Sequence, residues 1–249
     1  MLITLLVFLL GVLVGGVVNQ LGSDLPGRGT PTRPHCPYCA RERPWWQWLG
    51  VVGYVLGRPE CRSCGARIRL RRPMTEIGLG LTYGYLWIAF GPSTKSVFYG
   101  LYITILALVL ITDFERRLIL DVVTYPAMVL GLAGSFFVPG MSWRSAVLGG
   151  LVGFLFFFLV ALIGHYAFGA GAMGGGDVKL AAFVGIITGF PLVIEAIVLT
   201  ILIGAAVSLI LVVTRIRGLR DHVPYGPFIV AGAILTLLRG YEIAQWFFR

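Results

Sequence analysis

The feature that most constrains this 249-residue chain is a succession of apolar runs separated by short charged or Gly/Pro-rich breaks. They lie at residues 2–21, 74–90, 97–112, 122–138, 146–164, 178–190, 192–214 and 228–246. A helix needs about 20 apolar residues to cross the hydrocarbon core, and only a helix or a closed barrel satisfies its backbone hydrogen bonds there. With 57% hydrophobic residues, 12% charged residues and a mean hydropathy of +0.88, the chain is no water-soluble globular domain. The expectation is an all-α polytopic membrane protein with about eight transmembrane helices. The first run lacks a basic segment before it and a small-residue cleavage site after it, so it reads as a retained anchor.

The net charge of +9 is explained by where the basic residues stand. The loop at 22–73 carries ten arginines against the three acids Asp24, Glu42 and Glu60. Arg116, Arg117, Lys179, Arg215, Arg217 and Arg220 fall on the same side, whereas Lys95, Arg144, Arg239 and Arg249 fall on or toward the other. The positive-inside rule then places both termini outside and the 22–73 loop in the cytoplasm. The excess charge is topological, and no aromatic-interleaved basic fold points to a nucleic-acid partner.

All four cysteines lie in that loop, as Cys36-Pro-Tyr-Cys39 and Cys61-Arg-Ser-Cys64. Two such knuckles aim four soft thiolates at one tetrahedral ion, and Zn²⁺ is the ion that set prefers. A reducing cytoplasm would not preserve two disulfides in the same place. Four Cys ligands leave no open coordination position, so the expected role is structural, in a small cytoplasmic zinc-binding loop domain after the first helix. His35 reads as a bystander. Trp45, Trp46 and Trp48 suit either the headgroup level of the bilayer or the core of the zinc loop.

Acids in or beside membrane helices are functional candidates because burying them is costly. Asp113 ends the third run and Asp177 opens the sixth, both at the cytoplasmic side. Two carboxylates at one depth can share a proton, one acting as base on water while the other polarises a carbonyl. Gly174, Gly175 and Gly176 before Asp177 would let an extended substrate backbone approach closely. The pattern equally fits interfacial acids that cap helices or pair with Arg116 and Lys179. Asp121 reads as an N-cap of the fourth helix. No serine nucleophile elbow and no phosphate-binding GK[ST] ending occur. Glycine-rich stretches at 131–134, 149–153 and 204–206 allow close helix approach, either by a bound helix or within the fold.

These residues resemble a known family. Gly174-Gly-Gly-Asp177 followed by Val-Lys-Leu looks like the GxGD signature of bacterial type IV prepilin peptidases, and the paired CxxC loop is similar to that family's cytoplasmic zinc domain. Pro73-Met-Thr-Glu76, Thr112-Asp113 with Asp121, and Val223-Pro-Tyr-Gly-Pro-Phe228 extend the resemblance over nearly the whole chain. It implies catalytic aspartates at Asp113 and Asp177 and metal ligands at Cys36, Cys39, Cys61 and Cys64. It also implies cleavage of the short basic leader of type IV prepilins or pseudopilins, followed in many members by methylation of the new N-terminus from S-adenosylmethionine. The expected division is a first transmembrane helix at 1–21, the zinc loop at 22–73 and a membrane-embedded peptidase core at 74–249. A signal-peptide-peptidase-like GxGD protease would explain the acids but not the cysteines. A non-enzymatic zinc-loop transport or assembly protein would use the acids for ion movement.

Overall fold

The computed structural model describes residues 1–30, 32–36, 38–43, 48–56, 60–168, 174–215 and 225–247. Trp45, Trp46, Arg58, Arg217, Arg220, Asp221 and Arg249 lie outside the described residues. In chain order the described helices are α1 (Leu2–Arg28), α2 (Gly50–Val55), α3 (Arg71–Phe90), α4 (Thr94–Arg116), α5 (Asp121–Gly134), α6 (Trp143–Phe168), α7 (Gly175–Thr188), α8 (Leu192–Val213) and α9 (Gly226–Phe247). Strand structure among the described residues consists of two isolated bridges, His35 with Glu42 and Glu60 with Arg67.

Each apolar run becomes one helix, and α2 lies in the polar loop. Length and composition suffice for a membrane crossing in four of them, Leu2–Gly27, Thr94–Arg116, Trp143–Tyr166 and Leu192–Val213, while Asp121–Gly134 and Gly226–Gly240 are apolar but shorter. The outward surface is apolar where a water-soluble protein would be charged: Leu6, Leu9, Leu155, Leu159, Ile201 and Leu202 are all exposed. Lipid is the solvent that such a surface fits. α1 continues beyond its apolar run to Arg28 and stops at Gly29, whose φ of 70° is a left-handed conformation that glycine adopts without strain.

The chain divides into two compact units, Met1–Thr112 and Asp113–Arg249. In the first, α1 packs on α3 through glycines. A Cβ on Gly11 would stand 2.7 Å from the Leu79 carbonyl oxygen, and one on Gly15 would stand 2.6 Å from Glu76 Cα. Without a hydrophobic force between helices in lipid, such close backbone approach is what dispersion packing requires. Trp48 and Leu49 extend this packing onto Gly16 of α1.

In the second unit α7 is the hub, in contact with α5, α6, α8 and α9. Val178, Leu180, Ala181, Phe183, Val184 and Ile187 are all buried around its circumference. A helix apolar on every side belongs inside other helices, which accounts for its short span. Gly149 and Gly153 of α6 meet Gly185 and Ala181 of α7 backbone to backbone, Gly131 meets Ile186 and Ile187, and Gly204 meets Phe228. The glycine-rich stretches are therefore used by internal packing.

Candidate active site and metal centre

The cysteine loop is built as two matching knuckles. Cys36 N–H donates to Arg41 O and Ala40 N–H to Cys36 O, while Cys61 N–H donates to Ala66 O and Gly65 N–H to Cys61 O. The fourth residue after each leading cysteine is left-handed, Ala40 at φ 57° and Gly65 at φ 69°. That repeated turn aims all four Sγ atoms inward, within 4.8 Å of one another. Cys36 and Cys64 are separated by 3.7 Å and Cys39 and Cys61 by 3.8 Å. A tetrahedral ion with sulfur bonds of about 2.3 Å spaces its ligands by roughly 3.8 Å, so the set fits a metal, and all four thiols are free of disulfides.

The electrostatics agree. Burial opposes ionisation of Cys36, but the backbone groups of Cys39 and Tyr38 and the side chains of Cys64 and Arg43 outweigh it and lower its pKa to about 6. The Ala66 backbone lowers Cys64, but burial and the three neighbouring sulfurs push it the other way, up to about 12, so the four thiols titrate as one set. His35 is turned away from the sulfurs, its Nδ1 within 3.2 Å of Thr32 Oγ1 and 3.0 Å of Arg33 O.

The acids lie in the second unit. Asp113 sits near the end of α4, which terminates where Arg117, at φ 53°, returns its N–H to Asp113 O at 2.7 Å. Its side chain is buried, 5% exposed, and Oδ2 has no hydrogen-bond partner among the described residues. Asp177 is the third residue of α7, in the first turn after the extended Gly174, whose carbonyl accepts the Asp177 N–H at 3.1 Å. The Asp113 carboxylate lies near enough for its charge to act on Asp177. The fold therefore brings together two acids 64 positions apart in the numbering.

Lys179 does not neutralise Asp177. Its ammonium is held by both oxygens of Asp121, at 2.7 and 2.9 Å, and lies over the Tyr125 ring. Asp121 is thus no N-cap: it is the first helical residue of α5, Leu120 holds the cap position without a side-chain bond, and the Asp121 carboxylate reaches across to α7 instead. Of the three glycines, Gly174 and Gly175 are exposed, and a Cβ on Gly175 would meet nothing. Gly176 is packed against Ile119, 2.9 Å from where its Cβ would be.

Gly226, which belongs to the Val223–Phe228 motif of the resemblance, has a neighbour that the motif did not name. At the first residue of α9 it lies against the Asp113 carboxylate, where any Cβ would overlap Oδ2 and come 2.9 Å from Cγ. Its signal was Tyr225-Gly-Pro227 at the start of an apolar run, a pattern that marks a helix start without revealing what it abuts.

Helices with a lipid-compatible surface, two interacting acids in one unit and four thiols able to hold a metal in the other define a polytopic membrane protein with a metal-binding loop. Residues 100–209 match the type IV leader peptidase family, and residues 9–90 match the bacterial peptidase A24 N-terminal domain. A Bacillus subtilis relative named prepilin leader peptidase/N-methyltransferase is 28% identical over 98% of this chain and 97% of its own length. Relatives of the same name from Burkholderia pseudomallei and Pseudomonas aeruginosa are 30% and 29% identical, over 90% and 84% of this chain and 75% and 72% of their own lengths. The chain belongs to the type IV leader peptidase family. No solved structure matches it.

Proposed function

We propose that Asp113 and Asp177 are the catalytic pair of a membrane aspartyl endopeptidase that removes the short basic leader of type IV prepilins or pseudopilins at the cytoplasmic face of a bacterial inner membrane. The observation that carries this reading is the Asp113 carboxylate, buried with an oxygen that lacks a partner and beside a second acid that Lys179 leaves unneutralised. Most buried carboxylate oxygens are bonded, so one left without a donor beside a second acid calls for a use.

In the reaction one carboxylate, ionised, removes a proton from water as the oxygen attacks the scissile carbonyl. The other, protonated, donates to the carbonyl oxygen, and the tetrahedral adduct collapses as the departing amine takes a proton. The pair titrates as a unit, so neither role belongs to one residue before substrate binds. Gly174 and Gly175 leave room beside Asp177 for an extended peptide, and Gly226 leaves room for the Asp113 carboxylate itself.

The four cysteines would hold Zn²⁺ as a structural ion, and S-adenosylmethionine would supply the methyl group in the second activity named for the relatives. With the basic 22–73 loop in the cytoplasm, all eight apolar helices crossing and both termini outside, the acid pair opens to the side where prepilin leaders lie. Membrane lipid and the prepilin are the partners; nucleic acid is not. The test is cleavage of a purified prepilin by detergent-solubilised protein, wild type beside Asp113→Asn and Asp177→Asn. Cleavage by either variant at the wild-type rate overturns the catalytic assignment.

A further inference from the structure

The first unit buries an arginine against the sulfurs, and neither peptide hydrolysis nor the set of four ligands accounts for it. Arg43 closes the turn of the first knuckle: its N–H donates to Pro34 O at 2.8 Å, and His35 pairs with Glu42 beside it. The backbone that presents Cys36 therefore also fixes Arg43. Cys36 is fully buried and Arg43 is only 8% exposed, whereas an arginine ordinarily keeps its charged head in water. Its side chain bonds to the Cys36 thiol.

The other charges nearby do not balance it. Arg71 and Arg72 open α3, and Arg72, itself buried, is repelled by both Arg43 and Arg71 and attracted by Glu76 and Asp24. Those two acids are committed elsewhere. Glu76 accepts the Gly50 and Val51 N–H groups, each at 2.8 Å, and Asp24 Oδ2 accepts from Gln20 Nε2 and from the Thr32 N–H and hydroxyl. Three guanidinium groups against two carboxylates leave positive charge in excess. Arg43 Nε and Nη1 are shut off from solvent and have no acceptor among the described residues. A cation held this way is costly unless an anion stands beside it.

The sulfurs become that anion when a divalent ion is bound. Four thiolates outweigh its two positive charges, and a thiolate accepts a hydrogen bond from a cation far better than a neutral thiol does. Arg41 of the same knuckle is not the counter-charge, because its Nη1 is turned to Ser63 Oγ at 2.9 Å on the exposed side. We propose that Arg43 is the built-in counter-charge of the metal centre, its guanidinium donating to the Cys36 sulfur and offsetting the negative charge that four thiolates leave on a divalent ion. Arg43 is a positioning residue and not a ligand, and the inference rests on the reading of the four cysteines as a metal site.

The intact, detergent-solubilised protein, stripped of metal and reloaded under reducing conditions, gives the test. Zn²⁺ affinity is read by competition with a chromophoric chelator, and Co²⁺ in its place reports the sulfur-to-metal charge-transfer band. Arg43→Met should weaken Zn²⁺ binding by about 10- to 100-fold, the range for losing an outer partner of a metal ligand, and should shift the Co²⁺ band. Arg43→Lys, which keeps the charge without the fork, should recover part of the loss. Arg41→Met should stay within about threefold of wild type, as expected for an exposed group. Metal-free wild type and metal-free Arg43→Met should melt together, and added metal should raise the midpoint less in the variant. Equal losses in the metal-free and loaded forms would make Arg43 a packing residue and overturn the inference. Zn²⁺ affinity of Arg43→Met within about threefold of wild type, or an equal loss in Arg41→Met, would overturn it too. Where Arg43→Met does not accumulate, Arg43→Gln, neutral but still able to donate an N–H, takes its place with the same expected sign. Failure of wild type to bind either ion overturns the metal reading itself.

Discussion

Two buried carboxylates, one in each unit, differ in how completely their oxygens are bonded. Glu76 is fully buried on α3, and both of its oxygens are occupied by backbone N–H groups at the start of α2, with Asn19 adding a third bond. Asp113 is almost as buried, yet its Oδ2 has no donor and its neighbours include another acid. Burial is common to both and distinguishes nothing. Satisfaction distinguishes them, and a buried carboxylate oxygen without a donor is the one that calls for a use.

The sharpest way to break this contrast is to neutralise each acid in turn. Asp113→Asn or Asp177→Asn should lower prepilin cleavage by at least about a thousandfold, since acid and base act as one unit. The melting midpoint of Asp113→Asn should be unchanged or raised, because no hydrogen bond to Oδ2 is lost and an unpaired charge is removed. A variant that melts markedly earlier would make Asp113 a structural acid like Glu76.

Next in size is removal of the metal. With four sulfurs inside 4.8 Å, chelation should abolish the knuckle fold, visible as loss of protection of the Cys36, Ala40, Cys61 and Gly65 amides from exchange, while the helices of the second unit keep theirs. Glu76→Ala follows: two buried amides at the head of α2 lose their acceptor, which costs about 2–4 kcal/mol. Thermal denaturation measures it, and the residual folded enzyme should cleave at a normal rate. Gly226→Ala should do the reverse, holding the melting midpoint while the displaced Asp113 carboxylate slows cleavage by about 10-fold or more.

How much of this was legible in the chain follows from the range of the interactions. Helices were readable because an apolar run announces itself locally, and the knuckles because two residues between cysteines fix a turn. Asp113 and Asp177 could be singled out because each is an acid at the end of an apolar run. Contacts fixed by packing between distant helices were not readable. Nothing near Asp24 foretells Thr32 and Gln20 closing on it, and nothing near Gly226 names Asp113 as its neighbour. Asp121 was misread for the same reason: its position before a helix suggested a cap, and only tertiary packing reveals Lys179 of α7 in reach.

That ion pair supplies the smallest expected effect and the finest edge of the comparison. Asp121 and Lys179 have side chains 56% and 33% exposed, so water already screens their attraction. Lys179 is two residues beyond Asp177 and on the same helix, so the pair holds the first turn of α7 beside α5 while its ammonium stays on Asp121. Lys179→Met and Asp121→Asn should therefore each retain cleavage within about threefold of wild type, and raised salt should weaken the wild type's small advantage. Prepilin cleavage by the two variants at low and high ionic strength decides the matter. A loss as large as that of Asp177→Asn would mean that Lys179 acts on the acid pair directly, and that satisfaction by a partner does not remove a charge from the chemistry here.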